Sequence, residues 1–194
     1  MRALLALLLI LAPTAAFAHT GHGDVSGFIH GFMHPLGGLD HVLAMVAVGV
    51  FAYVLGGRAL WLVPLSFVAM MAVGFMLGVG GVDLPFVELG IALSSVVIGG
   101  VAAFGKPVPV AGAMALVGGF AVFHGFAHGA AMPVGAAGLE YAAGFVVATG
   151  LLHAAGIGAA MGVARLAGRY GRAVAHVAGG AFALGGLGVL AGWL

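Results

Sequence analysis

Residues 59–79 read ALWLVPLSFVAMMAVGFMLGV, an apolar run without a single charge, closed by Arg58 on one side and Gly80-Gly81 on the other. A helix that crosses the hydrocarbon core of a bilayer needs about 20 such residues, and this run meets that length. Working outward, the chain after residue 24 divides into five further stretches of the same kind, punctuated by Gly, Pro or charge. The expected spans are 33–55, 59–79, 85–104, 108–130, 138–164 and 173–193. Composition agrees: 63% hydrophobic and 6% charged residues, with a mean hydropathy of +1.26, leave too little polar surface to cover a water-soluble globule. The fold expected is all-α, a polytopic membrane helix bundle with six transmembrane helices after a cleavable signal peptide.

The first residues read as a targeting segment. Arg2 is a short positive region, Ala3 to Leu11 an apolar stretch, and Ala16-Phe17-Ala18 a small-x-small cleavage pattern. Residues 1–18 are therefore assigned to a signal peptide, 19–32 to a His-rich periplasmic arm and 33–194 to the six-helix domain. Cleavage puts the mature N-terminus outside, so the first, third and fifth connections lie in the cytoplasm. Arg58, Lys106 and the trio Arg165, Arg169 and Arg172 fall in those connections, and Asp83 falls in an outer one. That distribution is what the positive-inside rule requires, and it places both mature ends in the periplasm of an inner-membrane protein.

Several function classes drop out on composition. A formal charge of +1 and the lack of any Lys/Arg run exclude nucleic acid, whose binding depends on a dense basic surface. With no cysteine, thiolate zinc sites and iron–sulfur clusters are excluded, so a metal would rest on His, carboxylate, Met or backbone. The sequence also has no GxxxxGK[ST] phosphate loop, which argues against direct ATP hydrolysis. Nine histidines are the unusual feature.

Ionisable side chains inside a span are costly and usually face a partner or a water-filled cavity. The densest group, Phe28-Ile29-His30-Gly31-Phe32-Met33-His34-Pro35-Leu36-Gly37-Gly38-Leu39-Asp40-His41, opens the first span, and Phe123-His124-Gly125-Phe126-Ala127-His128-Gly129 closes the fourth. Both lie in the outer third of the bilayer. His124 and His128, four apart, project from one helix face and can chelate one ion. Glu140 opens the fifth span at a similar depth. His34 and His41 would stand about 10 Å apart on a straight helix, so a break at Pro35 and Gly37-Gly38 is expected to bring them together. His153 lies deeper and reads equally as a second step or as a hydrogen-bonded core residue, whereas His176, beside the basic loop, is given no role. In the arm, His19 with its free α-amine and His22 read equally as a capture device for metal ions or as a soluble leader left by signal cleavage. Glycines at small-xxx-small spacing, Gly74/Gly78, Gly125/Gly129, Gly158/Gly162 and Gly188/Gly192, read as close helix packing.

The chain also echoes itself. His30-Gly31-Phe32-Met33-His34 matches His124-Gly125-Phe126-Ala127-His128, and Gly38-Leu39-Asp40-His41 resembles Gly138-Leu139-Glu140-Tyr141. A parallel repeat with a site at its interface is the expectation, with His30, His34, Asp40, His124, His128 and Glu140 as one pseudo-symmetric set.

With these motifs the sequence resembles the HupE/UreJ group of bacterial nickel/cobalt permeases associated with hydrogenase and urease loci. The resemblance runs over the whole chain, through the signal peptide, the His-rich mature N-terminus, the six spans, His34-(five residues)-Asp40-His41 and Phe123-His124-Gly125-Phe126-Ala127-His128-Gly129. It implies nickel uptake by facilitated diffusion, with those motif residues needed for transport, and a functional link to hydrogenase or urease maturation. Ni2+ or Co2+ would then be the transported substrate, with no permanent cofactor. The expected partners are that ion, the lipid bilayer and, with oligomeric state open, a second copy of the chain. Two other classes stay in play: an intramembrane zinc-dependent hydrolase using His/Asp ligands, helped by Ser94-Ser95, and a haem protein. The haem reading suffers because His124 and His128 share one helix.

Overall fold

A computed structural model describes residues 27–132 and 138–194. The expected signal peptide and the arm histidines His19 and His22 lie outside the described residues. Those residues form helices and no strand: α1 (Gly27–Gly37), α2 (Leu39–Leu55), α3 (Ala59–Val79), α4 (Val87–Phe104), α5 (Val110–Ala130), α6 (Gly138–Ala167) and α7 (Gly171–Leu190), with a 3-10 turn at Gly168–Tyr170. Ala59–Val79, Val87–Phe104 and Val110–Ala130 are each long and apolar enough to cross a membrane, as is the continuous stretch Gly138–Leu190; α1 and α2 together add a fifth if the bent pair counts as one span.

The first expected span, 33–55, is not one helix. The chain turns through 85° between α1 and α2. Pro35 sits in the last turn of α1 and has no N–H for that turn's hydrogen bond, and Gly38 follows with an extended backbone at φ −109°, ψ 122°. At 1.5 Å per residue, the 11 residues of α1 reach about 16 Å, half of a bilayer core. Residues 27–32, expected in the arm, are helical and continuous with the rest of α1.

The long helices pack as a bundle with α2 at its centre, touching α3, α4, α5, α6 and α7. The closest pairing is α3 against α5, where carbon added at Gly74, Gly78, Gly125 or Gly129 would overlap backbone atoms of the facing helix. Small residues thus let the backbones touch where lipid supplies no hydrophobic drive for association. The same rule serves α1 on α6 through Gly31 and Gly144, and α2 on α6 through Gly49 and Gly156. Gly158 and Gly162 do not follow the expectation, since open space surrounds their Cβ positions. Phe51, Phe67, Phe75, Phe145, Met45 and Met71 fill the interior, while Trp61, Leu65, Met76, Leu151 and Leu184 point outward. Helices apolar all round, with large side chains on the outer face, are what a lipid solvent selects.

Candidate metal path

The bend at Gly38 folds α1 back so that both histidines of the first motif face the end of α5. The His34 and His41 rings come to 6.4 Å, against the longer separation a straight helix would impose. From α5, His128 places its ring 4.9 Å from His34 and 5.1 Å from His41, and His124, one turn deeper, stands 4.8 Å from His41. Four imidazoles from three helices therefore form one cluster. Phe145 of α6 backs His128 in a parallel stack at 4.9 Å, and the Tyr141 ring lies 6.2 Å from His34.

The cluster is graded from water to interior. His30, Met33, His34, Asp40 and His41 line an open recess of about 450 Å³. Behind it His124 and His128 are fully buried. Deeper again, Phe67 of α3 lies between His124, 5.5 Å away, and His153 of α6, 5.1 Å away.

Hydrogen bonds fix which ring nitrogens are free. A carboxylate oxygen can only accept, so His41 Nδ1–H donates to Asp40 Oδ1 at 3.0 Å, and the His41 backbone N–H reaches the same oxygen at 2.8 Å. His41 Nε2 is then the bare nitrogen, buried and without a partner. Likewise the Ser94 hydroxyl donates to the Ile91 carbonyl, so its oxygen accepts from His124 Nε2–H at 2.9 Å and leaves Nδ1 bare. His124 Nδ1, both nitrogens of His128 and the Tyr141 hydroxyl have no hydrogen-bond partner although buried. Such groups are rare in folded proteins because stranding them is costly, and a polar or cationic guest would satisfy them. Carboxylate and hydroxyl groups that lock an imidazole tautomer are the usual outer partners of metal-binding histidines. Spacing offers no signal for Ser94 in this role; only the facing of α4 on α5 makes it visible.

Not every expected residue joins. Glu140 is exposed at the head of α6, with no hydrogen bond or ion pair to the histidines, so the echo with Asp40 is one of sequence and not of environment. His30 stands exposed at the rim of the recess. His153 is buried, and neither ring nitrogen has a hydrogen-bond partner, which leaves the core-hydrogen-bond reading without its bond. His176 has one: its Nδ1–H donates to the Ala102 carbonyl at 2.8 Å. Among the described residues no three His, Asp or Glu side chains are arranged to hold one ion. The geometry is a succession of donors and not a closed cage.

The family model described as HupE / UreJ protein matches residues 6–189. Protein HupE of Rhizobium leguminosarum bv. viciae is 56% identical over 63 residues, covering 32% of this chain and 32% of that protein, so the match spans about a third of the relative's length. No solved structure matches the chain.

Proposed function

The chain belongs to the HupE/UreJ family, and on that premise we propose that it is a secondary permease admitting Ni2+ or Co2+ across the bacterial inner membrane, for supply to enzymes such as hydrogenase or urease. The observation that carries this reading is the run of imidazoles from the open recess to the buried pair, with bare ring nitrogens at His41, His124 and His128. Imidazole suits nickel, cobalt, copper and zinc better than hard cations such as Mg2+. Donors met a few at a time favour entry without trapping, as a carrier or channel needs. In this reading His34, His41, His124 and His128 touch the ion, while Asp40 and Ser94 act through the histidines they hold. His30 serves at the entrance, and Glu140 contributes charge near it. The metal is cargo, so no resident cofactor is required.

The proposed topology has six spans and both mature ends outside. Gly138–Leu190, taken as one continuous helix of 53 residues, would be about 80 Å long, far more than a bilayer. Gly168, at φ 53°, starts the turn between α6 and α7, and both helices pack against α2, which supports reading them as an antiparallel pair. Arg58, Lys106 and the Arg165–Arg172 group then share one end of the bundle, opposite the histidines. A reporter fused after Leu194 should therefore behave as periplasmic, and a cytoplasmic signal would break the six-span assignment.

The functional test is radiometal uptake in cells lacking other nickel importers. Expression of the chain should raise 63Ni uptake at low external nickel, in the absence of any partner ATPase. Uptake equal to that of the empty vector would end the permease reading.

A further inference from the structure

Deepening the permease reading, on which it rests, we propose that the transported cation pauses at a second, inner station formed by His153, Thr149 and Met71, beyond the ring of Phe67. The station is defined by two facing helices. Thr149 and His153 are four apart on α6, and Phe67 and Met71 are four apart on α3, so each pair projects from one face. The pairs meet: the Thr149 hydroxyl donates to the Met71 sulfur at 3.7 Å, and the His153 ring stands edge-on to Phe67 at 5.1 Å. All four side chains are buried, His153 with 2% of its surface exposed.

The unpartnered groups point to a ligand. Whichever tautomer His153 adopts, one nitrogen carries a proton and the other a lone pair, and neither has a hydrogen-bond partner. The Thr149 hydroxyl spends its proton on the Met71 sulfur, so its oxygen lone pairs remain free. Nitrogen, thioether and hydroxyl together suit a borderline-soft transition-metal cation and not Mg2+ or Ca2+. At 13 residues from Glu140 along a continuous helix, His153 lies about 20 Å inward of the entrance. One turn further, α2 and α6 cross in backbone contact at Gly49 and Gly156, which gives the station a floor.

Phe67 separates this station from His124, with ring centroids 5.5 Å apart. The Phe67 ring thus touches both His124 and the station, 5.1 Å from His153. Two stations in series with an aromatic between them would let a second ion arriving outside favour release inside.

The test uses the full chain, purified and also reconstituted in phosphatidylethanolamine/phosphatidylglycerol vesicles, with Ni2+ as the probe. Equilibrium dialysis should find at least two Ni2+ equivalents per wild-type chain and one fewer in His153→Ala. Vesicle uptake by His153→Ala should fall about tenfold, while Ni2+ still binds the outer histidines. Should His153→Ala fail to fold, Met71→Leu keeps the volume and removes the sulfur; the inner equivalent is expected to weaken about tenfold. A folded His153→Ala with wild-type stoichiometry and rate, or Met71→Leu with unchanged inner affinity, would overturn the inner station while leaving the outer path intact. Wild-type protein that neither binds nor transports Ni2+ would instead bring down the permease reading and the station together.

Discussion

Replacing His128 by alanine is expected to reduce metal uptake to background while the protein stays in the membrane at its normal level. His128 is the joint of the cluster: its ring touches His34 and His41 from two other helices, and both of its nitrogens are buried and unpartnered. It therefore contributes no hydrogen bond whose loss would unfold the bundle, yet among the described residues it is the only buried imidazole in ring contact with His34. His124→Ala should behave similarly, with some added loss of stability, because Ser94 would lose the ring it holds. His176→Ala is the control. Its imidazole binds the Ala102 carbonyl near the basic end of the bundle and touches none of the cluster, so uptake should stay near the parent value. Asp40 separates charge from positioning: Asp40→Asn keeps an oxygen that can accept from His41 Nδ1–H, whereas Asp40→Ala leaves that proton without its acceptor. Retention of much of the uptake by the amide and loss by alanine would mark Asp40 as a positioning residue; equal loss in both would mean that its charge touches the ion. Equal losses at His124, His128 and His176, accompanied by lower abundance, would mean that the histidines act through folding.

Much of this was legible because the bilayer reduces the problem to length and charge. Apolar runs bounded by Gly, Pro and Arg located α3, α4 and α5 within two residues of their ends, since few other patterns are stable in hydrocarbon. The break at Gly38 was also readable, from the absent donor of Pro35 and the glycine pair beside it. Its direction was not. The 85° turn that brings His34 to His128 depends on α1 lying against α6, where Gly31 and Gly144 let the backbones touch, and nothing in the local sequence names that partner. The two repeat positions also differ in surroundings: Asp40 is followed by a histidine whose Nδ1–H it can accept, while Glu140 is followed by Tyr141, whose hydroxyl it does not bind. Glycine spacing was likewise informative only in pairs of helices. Gly125/Gly129 and Gly158/Gly162 share one pattern, but only the first faces another backbone. Ser94 reads in the sequence only as an aid to a hydrolase, and its hold on His124 is not legible there, because a serine within an apolar run usually bonds back to its own helix. This one does, and that bond commits its proton so that the oxygen must accept from His124.

Gly125→Val should remove most of the folded protein from the membrane, and with it all uptake, although residue 125 offers no ligand. The added carbon would overlap the Met71 carbonyl, and the neighbour it meets is backbone, which cannot rotate away. The same is true one turn on, where Gly129 lies against the Phe75 carbonyl, and across the interface at Gly74 and Gly78. Valine at residue 125 must therefore push α5 off α3 along its most intimate contact. His124 and His128 flank that glycine on α5, so any separation large enough to fit valine also carries both imidazoles away from His34 and His41. Overpacked interiors lose about 1–3 kcal/mol where side chains can adjust, and more is expected where backbone meets backbone. Gly119 offers the matched control on the same helix. Nothing lies within 4 Å of its Cβ position, so Gly119→Ala should be tolerated and should even favour the helix. Membrane abundance and thermal stability of the two variants, measured beside their uptake, check the argument. Wild-type abundance for Gly125→Val would show that α3 and α5 do not pack through these glycines, and the placement of His124 and His128 against α2 would fall with that interface.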